Sequence, residues 1–204
     1  AAVFESASTG KTAATFDSSN NKIVISYRDV GNSYHGTAVV GTVSGSSISF
    51  GTPVVFNAAS TDDEAHITFD SNSNKVVVVY STGSQGVAKV GTVSGTSISF
   101  GSATVFDAGQ GTKLGVTFDS NSNKVVVVYT GTNNYVESRV GTISGTSISF
   151  GSEATFSTNN ISYNIITFDS SNNKVIIVYS DITNSYYGTA IVGTVSGTSI
   201  SFGT

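Results

Sequence analysis

Apolar residues along this chain come in short blocks separated by clusters of Ser, Asn, Thr and Gly, and the same succession of blocks returns four times. In its second occurrence, HITFD (His66 to Asp70) alternates apolar and polar positions, the two-residue period of a half-buried strand. KVVVVY (Lys75 to Tyr80) is apolar and β-branched almost throughout, the composition of a strand covered on both faces. VAKVGTV (Val87 to Val93) reads as a third strand. SISF (Ser97 to Phe100) alternates strictly, with Ile98 and Phe100 on one face and Ser97 and Ser99 on the other, as an outer strand should. SNSN and SGTS are the turn clusters between them.

The repeat is regular. GTVSGTSISFG begins at Gly91 and has near copies at Gly41, Gly141 and Gly193, giving steps of 50, 50 and 52 residues. Phe16, Phe69, Phe118 and Phe168, each within a TFDS motif, recur at steps of 53, 49 and 50. A four-stranded meander of about 50 residues used four times predicts an all-β fold, a four-bladed β-propeller with four antiparallel strands per blade. Solenoid coils are shorter, and tandem sandwiches need about 100 residues each. The expectation is one propeller domain over residues 1–204. Its Val and Ile runs at 23–25, 76–79, 125–128 and 175–178 should pack blade against blade, each buried side chain contributing about 1.5–3 kcal/mol. The recurrent third-strand glycines predict a bulge or a close backbone approach.

The double glycine of kelch repeats and the Trp-Asp dipeptide of WD repeats are both missing. On its period and strand pattern the chain resembles the tandem propeller repeats of large bacterial and phage surface proteins, a resemblance that covers its whole length and carries no catalytic motif. It implies an extracellular location, on a cell or virion surface, and a structural or adhesive role.

The ends suggest how such a module joins others. The chain closes on SISFGT and opens on AAVF, and end to start these reproduce the internal SISFGTPVVF almost letter for letter. Residues 1–6 are therefore expected either to complete the last blade within the chain or to join a neighbouring copy, as in a tandem array or fibre. A chain that opens Ala-Ala and contains no Met is expected to be processed or part of something longer.

Two connections per repeat barely change, whereas the other two differ greatly. After the second strand come RDVGNSYHG, STGSQG, TGTNNYVES and SDITNSYYG; before the first come ESASTGKTAA, NAASTDDEAH, DAGQGTKLG and STNNISYNI. In a meander both variable connections fall at one end of every blade, so one face of the disc is uniform and the other diverse. The diverse face carries Arg28, Lys113 and the acidic cluster Asp62, Asp63 and Glu64, together with the candidate ligand-binding set Tyr34, His35, Tyr135, Tyr163, Tyr186 and Tyr187. Aromatic faces beside fixed polar groups suit surface glycans, so a carbohydrate-binding, lectin-like propeller is the alternative reading. The absence of Trp and the tyrosine-free STGSQG loop count against it.

Composition narrows the chemistry further. Charged residues make up 11% of the chain and the net charge is −4, so no basic surface is available to neutralise phosphates and nucleic acid is not an expected partner. With no Cys there is neither disulfide nor thiol chemistry. No apolar run approaches the roughly 20 residues of a membrane-spanning helix, and no membrane insertion is expected.

DSNSNK places Asp70, Asn72 and Asn74, and again Asp119, Asn121 and Asn123, at the alternate spacing of a calcium loop. It lacks that loop's glycine and distant Glu. A hairpin turn, with Asp17, Asp70, Asp119 and Asp169 accepting backbone hydrogen bonds, is the expected role. Asp62 to Glu64 have no acidic counterpart for hydrolysis and read as a solvated loop. His35 and His66 form no inferable triad. Arg28 and Arg139, the only two arginines, are too few for the cluster of sialidase-like propellers. No enzyme and no cofactor are expected. Asn160-Ile161-Ser162 is the one N-glycosylation pattern, making Asn160 a candidate acceptor.

Overall fold

The computed structural model describes residues 1–61 and 65–203. The first blade contains β1 (Thr9–Asp17), β2 (Lys22–Asp29), β3 (His35–Ser44), β4 (Ser47–Phe50) and β5 (Val54–Ser60). The second contains β6 (Ala65–Asp70), β7 (Lys75–Ser81), β8 (Gly86–Ser94), β9 (Ser97–Phe100) and β10 (Thr104–Asp107). The third contains β11 (Thr112–Asp119), β12 (Lys124–Thr130), β13 (Val136–Ser144), β14 (Ser147–Phe150) and β15 (Ala154–Ser157). The fourth contains β16 (Ile161–Asp169), β17 (Lys174–Asp181), β18 (Tyr187–Ser196) and β19 (Ser199–Phe202). Each set forms its own antiparallel sheet, and the fold is a four-bladed β-propeller.

The first three sheets carry a fifth strand beyond the expected four. SISF is too short to cover the whole third strand. β4 pairs with the end of β3, Gly41 opposite Phe50, and β5 then takes over the same edge with Ala38 opposite Val54. β10 and β15 repeat this on β8 and β13. Between the two edge segments the chain crosses against the next blade. A Cβ on Gly51 would stand 1.9 Å from the carbonyl oxygen of Thr96, and one on Gly101 would stand 2.0 Å from that of Thr146.

The apolar second strands pack blade on blade through opposite faces. Val24, Ala38 and Val40 of the first blade meet Ile67, Val76 and Val78 of the second. Val77, Val79, Ala88 and Val90 meet Val125 and Val127 of the third, and Val126, Val128 and Val140 meet Val175 and Ile177 of the fourth. Each blade thus has a leading face, turned to its successor, and a trailing face, turned to its predecessor. Phe56 leaves the edge of blade one and packs on Tyr80 and Phe100 of blade two, with ring centroids 5.2 and 5.7 Å away. Phe106 and Phe156 repeat the contact one blade further on each time.

The third-strand glycines resolve as a close approach. Ladder register runs unbroken through Gly41 and Gly91, and a Cβ on Gly91 would meet Ile98 Cδ1 at 2.9 Å and Phe100 Cε1 at 3.0 Å. The glycine is the floor on which the two apolar residues of SISF lie.

The first strands pack in succession, β1 on β6, β6 on β11 and β11 on β16, whereas β16 and β1 make no comparable contact among the described residues. The leading face of blade four and the trailing face of blade one are consequently open. Residues 1–6 form no strand and pair with no sheet. They lie on the trailing face of blade one, where Phe4 packs on Tyr27 and Phe50.

Candidate interaction surfaces

The invariant turns are closed hydrogen-bonded units. Asp70 Oδ1 accepts from the backbone N–H of Asn72 and Ser73, and Oδ2 accepts from Ser73 Oγ at 2.7 Å. Asp119 repeats this with Asn121 and Ser122. Where the sequence reads DSSN, the Asn20 and Asn172 amides replace that serine hydroxyl on Asp17 and Asp169. Asn74 and Asn123 sit at φ 54°, closing the turn in the left-handed region that Asn tolerates. Both oxygens of Asp70 and Asp119 thus accept hydrogen bonds within the turn, to which Asn72 and Asn121 contribute backbone donors. For Asp17, burial alone would raise the carboxyl pKa, but the bonds from Ser19 and Asn20 outweigh it and hold it below the usual value. Among the described residues no group of three or more His, Asp or Glu is placed to hold a metal.

At the other end of each blade, the start of the first strand lies beside the end of the second, Thr9 opposite Asp29 and Ile161 opposite Asp181. Both variable connections therefore share one face. Bulges in β1, β11 and β16 break the ladder there, with Lys11 and Lys113 at φ 46° and 49°. Around the axis on this face is a cavity of about 340 Å³, whose lining includes Lys11, His66, Lys113, Tyr163 and Asn164. Lys113 Nζ donates to Asn160 Oδ1 and to the carbonyl of Ile161, so the Asn160 side chain is braced against the neighbouring blade.

The candidate residues are spread over blades one, three and four. Only Tyr163 lines the axial cavity. Tyr34 and His35 belong to blade one, Tyr135 to blade three, and Tyr186 and Tyr187 to blade four. Arg28 lies over the Tyr34 ring, 5.3 Å from its centroid, a cation–π contact. Tyr34 and Tyr186 occupy matching loops, each following a serine at φ 54° after a short 3-10 turn capped by Asp29 or Asp181. Asp62, Asp63 and Glu64 lie outside the described residues. Arg139 is engaged with Glu153 at 3.3 Å and Tyr129 at 3.2 Å, and does not line the cavity.

The open blade faces are a surface that the sequence did not single out. Val178 is 48% exposed, whereas Val79, at the same repeat position, is fully buried under blade three. Val192 and Ile165 continue the patch at 43% and 73% exposed. On the far side, Val43 is 54% exposed where its counterpart Val93 is 7%, and Phe16 stands 51% exposed. A depression of about 250 Å³ lies beside Ile165, Val178 and Tyr179 on one open face, and one of about 210 Å³ beside Phe4, Ala14 and Ile25 on the other.

No protein-family model and no curated protein matches the chain. Among solved structures, NanB with Optactamide aligns at a TM-score of 0.58 and 13% identity, covering 80% of this chain and 26% of that one. A nidogen/laminin complex chain aligns at a TM-score of 0.50 and 13% identity, over 92% of this chain and 63% of that one. The chain thus spans less than two thirds of either, and at this identity the likeness speaks for the propeller fold alone. No helix among the described residues is long and apolar enough to cross a membrane.

Proposed function

We propose that this chain is a non-enzymatic structural or adhesive propeller module of a cell or virion surface, working as a unit of an end-to-end array. The observation that carries the reading is the pair of open apolar faces. Contiguous exposed apolar patches of this kind mark association surfaces. These two are the trailing and leading halves of a contact the chain already makes three times internally. A head-to-tail contact of two different faces propagates, giving a closed ring if the rotation closes and a filament if it does not. Electron microscopy of the native protein tests this: end-to-end particles are expected, and isolated single modules at high concentration would contradict it.

A second reading, glycan binding, draws support from the axial cavity with Tyr163, Asn164 and the two lysines at its rim. A glycan array decides it. Reproducible binding lost in Tyr163→Ala would favour it over a purely structural role.

A further inference from the structure

Three blades finish their outer edge with a strand that also reaches the next blade, and in the fourth no such strand is present among the described residues. In blades one to three, the first half of the third strand is paired with β5, β10 or β15. In blade four, β19 covers only Gly193 to Ser196, and the Tyr187 to Ala190 edge of β18 has no strand beside it among the described residues. An unpaired edge beside an apolar face is a template for strand addition.

Residues 1–4 of the chain match the segment that fills this edge in the other blades. Phe4 makes with Tyr27 and Phe50 the contacts that Phe56 makes with Tyr80 and Phe100. Ala1 and Ala2 lie beside Ser46 and Ser47 of the blade-one hairpin, as the Gly51 crossing lies against Thr96 of the blade-two hairpin. Residues 1–4 therefore sit where a segment arriving from a preceding blade would sit. Their counterparts pair backward: Val54 with Ala38 and Val55 with Thr37 in blade one, Thr104 with Ala88 and Val105 with Val87 in blade two.

We propose that the free edge of β18 is filled by residues Ala2–Phe4 of a second copy of this chain, antiparallel, with Ala2 opposite Ala190 and Val3 opposite Thr189. The trailing face of that copy's first blade then covers Ile165, Val178 and Val192. The inference rests on the end-to-end reading above and names the contact that makes it. A second copy is the occupant because each surface has an internal counterpart that already packs this way. The chain's own residues 1–4 are held on blade one, whose first strand makes no contact with that of blade four comparable to those between the other blades among the described residues.

The chain contains no cysteine, so paired thiols report the register directly. Val3→Cys and Thr189→Cys are placed on separate copies of different mass, mixed and oxidised, with Val3→Cys plus Ser120→Cys in the uniform turn as the control pair. Circular dichroism checks that each variant is folded. The mixed Val3–Thr189 disulfide is expected to exceed the control by roughly a hundredfold, since docking raises the local thiol concentration toward the millimolar range. No enrichment over the control overturns the proposal, as does a disulfide confined to a single chain in the double variant. Sedimentation of the unoxidised mixture separates the two readings: multimers without the mixed disulfide remove strand addition and leave end-to-end assembly standing, whereas monomers throughout remove both.

Discussion

The ring of Phe4 lies 5.2 Å from that of Tyr27, the separation that Phe56 keeps from Tyr80 and Phe106 from Tyr129. The first residues of the chain thus reproduce an interblade contact on the open trailing face of blade one. Phe4 is only half-buried whereas Phe56 is 2% exposed, so the two truncations should differ. Urea unfolding is expected to show a loss of about 1–3 kcal/mol for Phe4→Ala and about 3–5 kcal/mol for Phe56→Ala.

Val79 and Val178 occupy one repeat position in two settings. Val79→Asp buries an unpaired carboxylate between blades two and three and should cost several kcal/mol, or prevent folding. Val178→Asp adds a charge to an open face. Its melting temperature at low protein concentration should stay near that of the parent while association is lost. Equal destabilisation of the two variants by calorimetry would contradict the assignment of blade four's leading face as open.

The two kinds of recurrent glycine should differ in the same way. A Cβ at Gly91 presses on the ends of Ile98 and Phe100, which can shift, whereas a Cβ at Gly101 lands on the Thr146 carbonyl oxygen, which cannot. Gly101→Ala is expected to destabilise more than Gly91→Ala, with the latter near the lower end of the roughly 1–3 kcal/mol typical of overpacking. Paired chemical denaturation curves measure the order.

Burial, then the nearby charges of Glu153 and Asp107, push the Glu137 carboxyl up to about 7, with Arg139 partly opposing. An unfolded chain releases that proton near 4.5. Between these values the folded state holds a proton that the unfolded state has lost, so the stability it contributes is full below about 4.5 and is lost as pH rises through about 7. The turn carboxylates of Asp17 and Asp169 act oppositely. Asp169 is depressed by bonds from the Asn172 side chain and from the Asn172 and Ser171 backbone, and its contribution is lost as pH falls below the usual 3.8. Glu137→Gln should flatten the decline between pH 4.5 and 7 and raise the melting temperature above pH 7, leaving the acid limb in place.

The architecture was legible because packing repeats. Val76 to Val79 announce a strand buried on both faces, and four such runs at a near-constant step announce four blades. The role of Phe56 was not legible, since nothing in PVVF says that its backbone belongs to one sheet and its ring to the next. Nor does a sequence distinguish Val79 from Val178, which have like neighbours in the chain and opposite surroundings in the fold. The turn chemistry of Asp70 could be read from Asp, Ser and Asn alone because it is local. The tyrosines of the diverse face could be placed on loops but not relative to one another, because their separation depends on how blades sit about the axis.

Sedimentation velocity across a concentration series tests most directly whether the leading face of blade four meets the trailing face of blade one in another molecule. A shift from the 20.9 kDa chain to successive multiples is expected as concentration rises, abolished by Val178→Asp. A single 20.9 kDa species at every concentration would contradict it.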